Sequence, residues 1–335
     1  MKSFAQELIQ NAWRQKGAFF YLVLIPLSWL FVATTAFRRW AYRLGILKSY
    51  ALPVPVIVVG NINLGGSGKT PVVIWLVEQL KQHGFKPAVI SRGYGGSVSL
   101  ATRVDATSQA SIVGDEPVLI ANRGQCPVWV GRDRVQVATE LLKAHSECNV
   151  IISDDGLQHY RLKRDVEIAV VDADSSEKDA RLLPAGRLRE PLERLNTVDV
   201  VICNGQKNTY ETVDSVYQMQ LVGQQFFNLA DSNITATATD FKQKSVKALA
   251  GIGKPERFFE HLRKLGLTFT GVSFDDHHAF TAQELAKIDG DVLIMTEKDA
   301  VKCKSFAQPH HWVLPVEAQI DTQLMTLILN KLARR

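Results

Sequence analysis

Residues Val56–Leu80 read VIVVGNINLGGSGKTPVVIWLVEQL, and the fold is decided there. A short apolar run of strand length passes through a glycine-rich loop into residues that are apolar at helical spacing. Strand, loop and helix in that order are what a phosphate loop needs. Glycines let backbone N–H groups approach phosphate oxygens, and the helix N-terminus adds the positive end of its dipole. Lys69 is then placed to reach the β- and γ-phosphates, and Thr70 offers a hydroxyl to Mg²⁺. The expected nucleotide cradle is Asn63, Leu64, Gly65, Gly66, Ser67, Gly68, Lys69 and Thr70, with ATP and Mg²⁺ as cofactors. Asn63 stands where the motif ordinarily has its first glycine. Asparagine tolerates left-handed backbone better than most residues, so the turn is expected to survive.

Outward from this stretch, apolar runs alternate with helical periods: Val56–Val59, Ala88–Ile90, Val128–Val130, Val150–Ile152, Ile168–Val171 and Val198–Cys203 as strands, Pro71–Gln82 and Arg132–Ala144 as helices. The alternation predicts βαβ crossovers and an α/β fold of the phosphate-loop NTPase kind, a mostly parallel sheet with helices on both faces. The polar stretch Gly205–Asp214 breaks the rhythm, and a second α/β set follows it. The expected organisation is an N-terminal anchor at 1–48, a phosphate-loop domain at 49–215, a smaller α/β domain at 216–320 and a C-terminal helix at 321–335.

The chain has 335 residues, 46% hydrophobic and 22% charged, which argues against disorder and against a polytopic membrane protein. Its net charge of +5 is local, because the first 50 residues hold seven basic side chains against Glu7 alone and leave the rest close to neutral. A nucleic-acid partner thus loses its electrostatic support, and no protein partner is expected. Four widely spaced cysteines, Cys126, Cys148, Cys203 and Cys303, show no metal-ligand or disulfide pattern and read as reduced, mostly buried thiols. Phe19–Phe37 carries no charge, and at about 1.5 Å per residue it approaches the thickness of one hydrocarbon core. It reads as a membrane helix with Trp13, Trp29 and Trp40 near the interfaces, and residues 1–16 as a possible surface helix.

Several other clusters carry chemistry. Asp154 and Asp155 end an apolar strand, at the same sheet edge as the phosphate loop if the sheet is parallel, where carboxylates suit Mg²⁺. Gly114-Asp115-Glu116-Pro117 places an acidic pair before a helix expected near Pro117, which helix-start chemistry alone would also explain. Asp275-Asp276-His277-His278 reads as an acidic, histidine-bearing loop or a plain solvated one, and His310-His311 as surface. Arg92, Arg134 and Arg189 sit in basic clusters at strand ends, which suit phosphate contacts or surface ion pairs.

These motifs, in order, resemble the tetraacyldisaccharide 4'-kinases, the lipid A disaccharide kinases of Gram-negative bacteria. The resemblance runs through NINLGGSGKTP, ISRGYGG, GDEP, GRDR, DDGLQH, RLLPAGRLREPL, ALAGIGKPERFF, DDHHAF and TEKDAVK, nearly the whole chain. It implies ATP-dependent, Mg²⁺-assisted phosphorylation of the 4'-hydroxyl of an acylated glucosamine disaccharide, a lipid A precursor, at the cytoplasmic face of the inner membrane. It implies that Lys69 and Thr70 bind phosphate and Mg²⁺, with Asp154 and Asp155 around the metal. It also implies that Asp115 is the catalytic acidic residue, assisted by His277, and that Arg92, Arg134, Gln158, His159, Arg189 and Glu190 line the substrate cleft. With Asp115 and His277 in different expected domains, catalysis implies domain closure. The alternative is a membrane-associated ATPase switch, whose loop also reads G-G-x-G-K-T. Such switches carry a lysine just before the two glycines, where this chain has Leu64.

Overall fold

The computed structural model describes residues 18–173, 181–205 and 216–335, with side chains from residue 23 onward. In chain order the elements are α1 (Ala18–Arg43), β1 (Val56–Gly60), α2 (Lys69–Gln82), β2 (Pro87–Ser91), β3 (Thr102–Val104), α3 (Ala110–Val113), α4 (Asp115–Gly124), β4 (Val128–Val130), α5 (Arg134–Ala144), β5 (Val150–Asp154), β6 (Val166–Asp172), β7 (Val200–Asn204) and β8 (Val216–Val222). They continue with β9 (Phe226–Asn228), β10 (Thr235–Ala236), β11 (Val246–Ala250), α6 (Pro255–Lys264), β12 (Thr270–Ser273), α7 (Ala282–Ala286), β13 (Val292–Thr296), α8 (Glu297–Cys303), β14 (His311–Leu314), β15 (Glu317–Ile320) and α9 (Gln323–Ala333). The architecture is mixed α/β with a large, mostly parallel sheet, as the alternation predicts.

The chain divides into two compact units that interleave in sequence. Residues 1–67, 155–219 and 320–335 form the first, and residues 68–154 and 220–319 the second. The division read at 215/216 follows chain order instead. In the first unit β8, β7, β6 and β1 pair in parallel in that order. The apolar residues of β1, β6 and β7 are buried, as parallel strands covered on both faces require, whereas β8 buries only Met219. Helix α9 belongs to this unit and buries Leu324, Met325, Ile328 and Leu332, while its Lys331 pairs with Asp199 at 2.6 Å.

In the second unit β5, β2 and β4 run parallel, and β3 closes the edge antiparallel to β4. Helix α2 packs on β2 and β5 through Val72, Val73, Leu76, Val77 and Leu80. A further sheet, ordered β10-β9-β14-β13-β11-β12, has its parallel centre at β14-β13-β11-β12. One face is covered by Phe258, Phe259 and Leu262 of α6, the other by Leu285 of α7 and Ala300 and Cys303 of α8.

Three readings are not matched by the structure. The uncharged N-terminal stretch does form α1, but among the described residues no helix is long and apolar enough to cross a membrane. Residues 1–16, the side chains of Phe19–Leu22 and most of Gly205–Asp214 lie outside the described residues. One side of α1 docks on its own unit instead: Leu24 packs against Ala185, Ser28 Oγ donates to the Leu182 carbonyl at 2.9 Å, and Ala41 is buried. Second, the helix expected near Pro117 begins at Asp115, because Gly114 turns the chain at φ +94°. Third, His311 is buried on β14 rather than on the surface, its Nδ1 accepting from the Gln308 amide at 3.1 Å. The cysteines are free, with Cys148, Cys203 and Cys303 buried.

Candidate active site

The phosphate loop leaves the C-terminal end of β1. Asn61 is buried beneath it and braces it from inside, its Nδ2 reaching the Gly65 carbonyl at 3.4 Å and Ser67 Oγ at 3.5 Å. Asn204, at the end of β7, donates to the Ser67 carbonyl at 3.1 Å. Asn63 does not occupy the left-handed region: the non-glycine residues with positive φ, among those described, are Gln125, Asp155 and His277. It is extended and bridges Leu188, and Leu64 N donates to the Arg187 carbonyl at 2.8 Å. The missing first glycine is therefore compensated by pairing with residues 187–188, with no special turn needed.

The loop fits a polyphosphate. A Cβ added to Gly65 or Gly66 would meet nothing within 4 Å, so that rim opens to space. Gly68 enters α2 at φ +93°, a conformation costly for other residues, and no side chain caps the helix that begins at Lys69. Its first N–H groups and dipole are thus presented to an anion, with no acidic residue in the first turn to oppose it.

Within the first unit the sequence-predicted residues of segments 155–159 and 187–190 gather beside this loop. Gly156 N donates to the Val59 carbonyl at 3.1 Å, and the amides of Arg189 and Glu190 both donate to the Ile62 carbonyl. Arg189 Nη1 sits 3.1 Å from both oxygens of Asp155, whose backbone is held at φ +46°. Gln158 Nε2 donates to the Asn61 carbonyl at 3.0 Å and to Glu190 at 2.9 Å. Glu190 is buried, and its carboxylate also takes Tyr160, Arg39 and Arg194. That makes it a brace between α1 and the loop's floor. Tyr160 responds to this setting, its phenol pushed up to about 12 by burial and by the Glu190 charge. His159 is half-buried in the same segment.

Within the second unit Lys69 and Thr70 start α2, and Asp154 ends β5, fully buried. Ser91 Oγ donates to Asp154 Oδ2 at 2.9 Å, and buried Arg134 reaches the Asp154 and Gly131 carbonyls. Arg134 therefore supports the strand end from beneath, while Arg92 is exposed just beyond Ser91. Thr70, Asp154 and Asp155 are hard oxygen donors of the kind Mg²⁺ takes. Among the described residues no group of three or more His, Cys, Asp or Glu side chains forms a ready cation cage.

The other cluster in this unit is assembled from three distant segments. Asp115 is 4% exposed at the start of α4, and both its oxygens lie within 3.1 Å of His277 Nδ1. Gly114 allows this: a Cβ there would meet the Tyr94 carbonyl at 2.7 Å. The Tyr94 ring stands edge-on to His277 at 5.1 Å. His277 itself is held at φ +61°. Lys298, at the start of α8, donates to Glu116 at 3.1 Å and to Asp276 at 3.3 Å, and lies 3.4 Å from His277 Nε2. Packing of α4 on α8, pinned by Arg123 to Glu297 at 2.7 Å, brings the two helix starts together.

Burial pushes the Asp115 carboxyl up, but the His277 hydrogen bond and the Lys298 charge outweigh it and hold it below the ordinary range. Burial lowers His277, the Asp115 hydrogen bond raises it, Lys298 opposes, and the balance is upward. Burial also lowers Lys298, yet Glu116, Asp115 and Asp276 raise it, so it remains an ammonium. The sequence reading brings Asp115 and His277 to one cluster. It assigns no role to Asn61, Ser91, Tyr94 or Lys298, although each lies in a quoted run, NINLGGSGKTP, ISRGYGG or TEKDAVK.

The family model of tetraacyldisaccharide-1-P 4'-kinase matches residues 20–333. A tetraacyldisaccharide 4'-kinase of Methylobacillus flagellatus is 47% identical over 313 residues, covering 93% of this chain and 92% of its own. The one from Aeromonas salmonicida is 48% identical over 328 residues, covering 97% and 96%. Among solved structures, the crystal structure of "apo" form LpxK from Aquifex aeolicus in complex with ATP superposes with a TM-score of 0.77 at 29% identity, covering 93% of this chain and 99% of that one.

Proposed function

The chain belongs to the tetraacyldisaccharide-1-P 4'-kinase family, and on that premise we propose how its residues carry out ATP-dependent phosphorylation of the 4'-hydroxyl in lipid A biosynthesis. The loop 63–70 cradles the phosphates of ATP, and Lys69 takes up charge on the γ-phosphoryl group as it is transferred. Thr70, Asp154 and Asp155 are the side chains that would hold Mg²⁺, which neutralises phosphate charge when bound. Asp115 accepts the proton of the sugar hydroxyl while that oxygen attacks phosphorus and ADP leaves. His277, donating to Asp115, orients the carboxylate. The observation that carries this reading is the buried Asp115 held 3.0 Å from His277 Nδ1, an alcohol-activating pair that a hydrolysing switch does not require.

The enzyme works at the cytoplasmic face of the inner membrane, with the outer side of α1 against lipid. This is supported by the exposure of Trp29 at 70%, Leu30 at 62%, Phe37 at 65% and Trp40 at 51%. Apolar and tryptophan side chains on a docked helix suit an interfacial position without a crossing.

The test incubates the full chain with Mg·ATP and the tetraacylated disaccharide in vesicles. Phosphate is expected on the lipid, and Trp29→Asp with Phe37→Asp is expected to lower vesicle co-sedimentation and lipid turnover while ATP affinity holds. ATP hydrolysis without phosphorylated lipid overturns the kinase reading. Unchanged turnover in the double variant overturns the docking.

A further inference from the structure

We propose that Lys298 is a positioning residue for the transfer step: its ammonium donates to His277 Nε2 and so fixes the imidazole as the neutral tautomer whose Nδ1–H is given to Asp115. The inference rests on the reading of Asp115 as the group that takes the hydroxyl proton. It concerns a side chain to which that reading assigns nothing.

The argument begins with what surrounds the ring. His277 is faced by Asp115 from α4, by Asp276 in its own loop, by Lys298 from α8 and by the Tyr94 ring, while Glu116 sits behind Lys298 and Lys302 acts on Asp115. Two carboxylates against a histidine favour a second ring proton. An imidazolium in that place would be a poor outcome for catalysis, because it would tie up the Asp115 carboxylate and lower its appetite for the hydroxyl proton. The balance on the ring is upward, and the contact that works against it is at Nε2. Nδ1 is committed to Asp115, so a second proton can arrive only at Nε2, and the position from which Nε2 would be protonated is taken by Lys298 Nζ at 3.4 Å. An ammonium has three donors and no lone pair, so Nε2 can only accept from it.

Lys298 is itself held rigidly in this role. Glu116 at 3.1 Å and Asp276 at 3.3 Å take its other two protons, and its side chain is 17% exposed. Those carboxylates keep it charged, and its own charge acts downward on the basicity of both His277 and Asp115. Its place on α8 is not incidental either, since Thr296 caps the helix by accepting from Asp299 N, which points the first turn at the cluster.

The experiment has two arms on the full chain. In the first, ¹⁵N-histidine spectra of the wild type, with His277→Gln subtracted for assignment, should show Nδ1 protonated and Nε2 bare on the plateau of the activity profile. Lys298→Met should show a doubly protonated ring at pH values where the wild type is neutral. In the second, the acidic limb of kcat against pH with Mg·ATP and lipid disaccharide should move up by about one unit in Lys298→Met, because both His277 and Asp115 then take protons more readily. Lys298→Arg should restore the wild-type limb, and KM for ATP should stay within about twofold throughout. A wild-type ring protonated at Nε2, or a Lys298→Met limb that does not move, overturns the proposal. The spectra need no substrate, so absence of lipid phosphorylation would sink the kinase reading while Lys298 was still judged on its own. If Lys298→Met does not fold, the wild-type tautomer and the arginine variant still decide.

Discussion

The phosphate loop and the Asp115 cluster, to which the proposed mechanism gives complementary chemistry, are built in opposite ways. The loop's anion-facing part is local, a strand, eight residues and a helix start braced by Asn61 from within, with Asn204 and residues 187–188 supporting it from outside. The Asp115 cluster has no local integrity. Asp115 lies 162 positions from His277, and Glu116 182 from Lys298, and each is at the tip of a different element. What this teaches is that anion binding needs only backbone N–H groups and a dipole, which a short segment supplies. Tuning a carboxylate as a base needs desolvation and several fixed charges, which only packing can bring together.

The largest effects should separate the two. Lys69→Ala is expected to lower kcat about 10³-fold and to weaken ATP, because it removes a charge aimed at the transferred group. Asp115→Asn should lower kcat about 10³-fold with ATP affinity retained, since only the proton acceptor is lost. Titration of a fluorescent ATP analogue beside initial rates distinguishes them, and equal loss of ATP binding in both would erase the distinction.

A smaller effect probes how far the loop really is self-contained. Glu190→Ala leaves Arg194, Gln158, Tyr160 and Arg39 without their shared acceptor, and urea unfolding should report a loss of about 3 kcal/mol, as when one partner of a buried ionic network is removed. The exposed pair Lys143–Glu140 is the control, expected near 0.5 kcal/mol or below. A Glu190→Ala protein as stable as the wild type would mean that segment 187–190 contributes little beneath the loop.

The smallest effect concerns the sheet on which the loop of His277 is mounted. His311 is lowered from 6.5 to about 4, chiefly by burial. Its folded value lies below its unfolded one, so the unfolded chain takes the proton first. The stability it contributes is present above pH 6.5 and is lost as pH falls toward 4. Thermal unfolding between those values should show a falling midpoint in the wild type and a flatter one in His311→Asn. A slope identical in both would remove His311 from the account.

Legibility in the sequence follows the same division. The strands and helices of the phosphate-loop region were readable nearly to the residue, Val128–Val130 among them, because apolar period and glycine punctuation are properties of short windows. Short edge elements such as β3, β10 and β15 are not, since their two to four residues are mostly polar and half-exposed and form no apolar run. How Asn63 replaces a glycine is not legible for a related reason: its backbone is set by pairing with Leu188, more than a hundred residues away. Asp115 was expected ahead of its helix and proved to be its first residue, a difference decided by what Gly114 must avoid at Tyr94. Glu190 and Arg134 looked like cleft residues and are buried supports. A charged side chain in a motif does not reveal which way it faces.

The order of residues by itself determined the alternating α/β pattern, the phosphate loop and the family of motifs along the chain, because each depends on periodicity, glycine and charge within a few turns of backbone. Tertiary structure alone decided that Asp115, His277 and Lys298 meet, that Glu190 ties α1 to the loop's floor, and that His311 is enclosed. Those facts depend on desolvation and on contacts across long loops, and both exist only once the sheets have closed their faces.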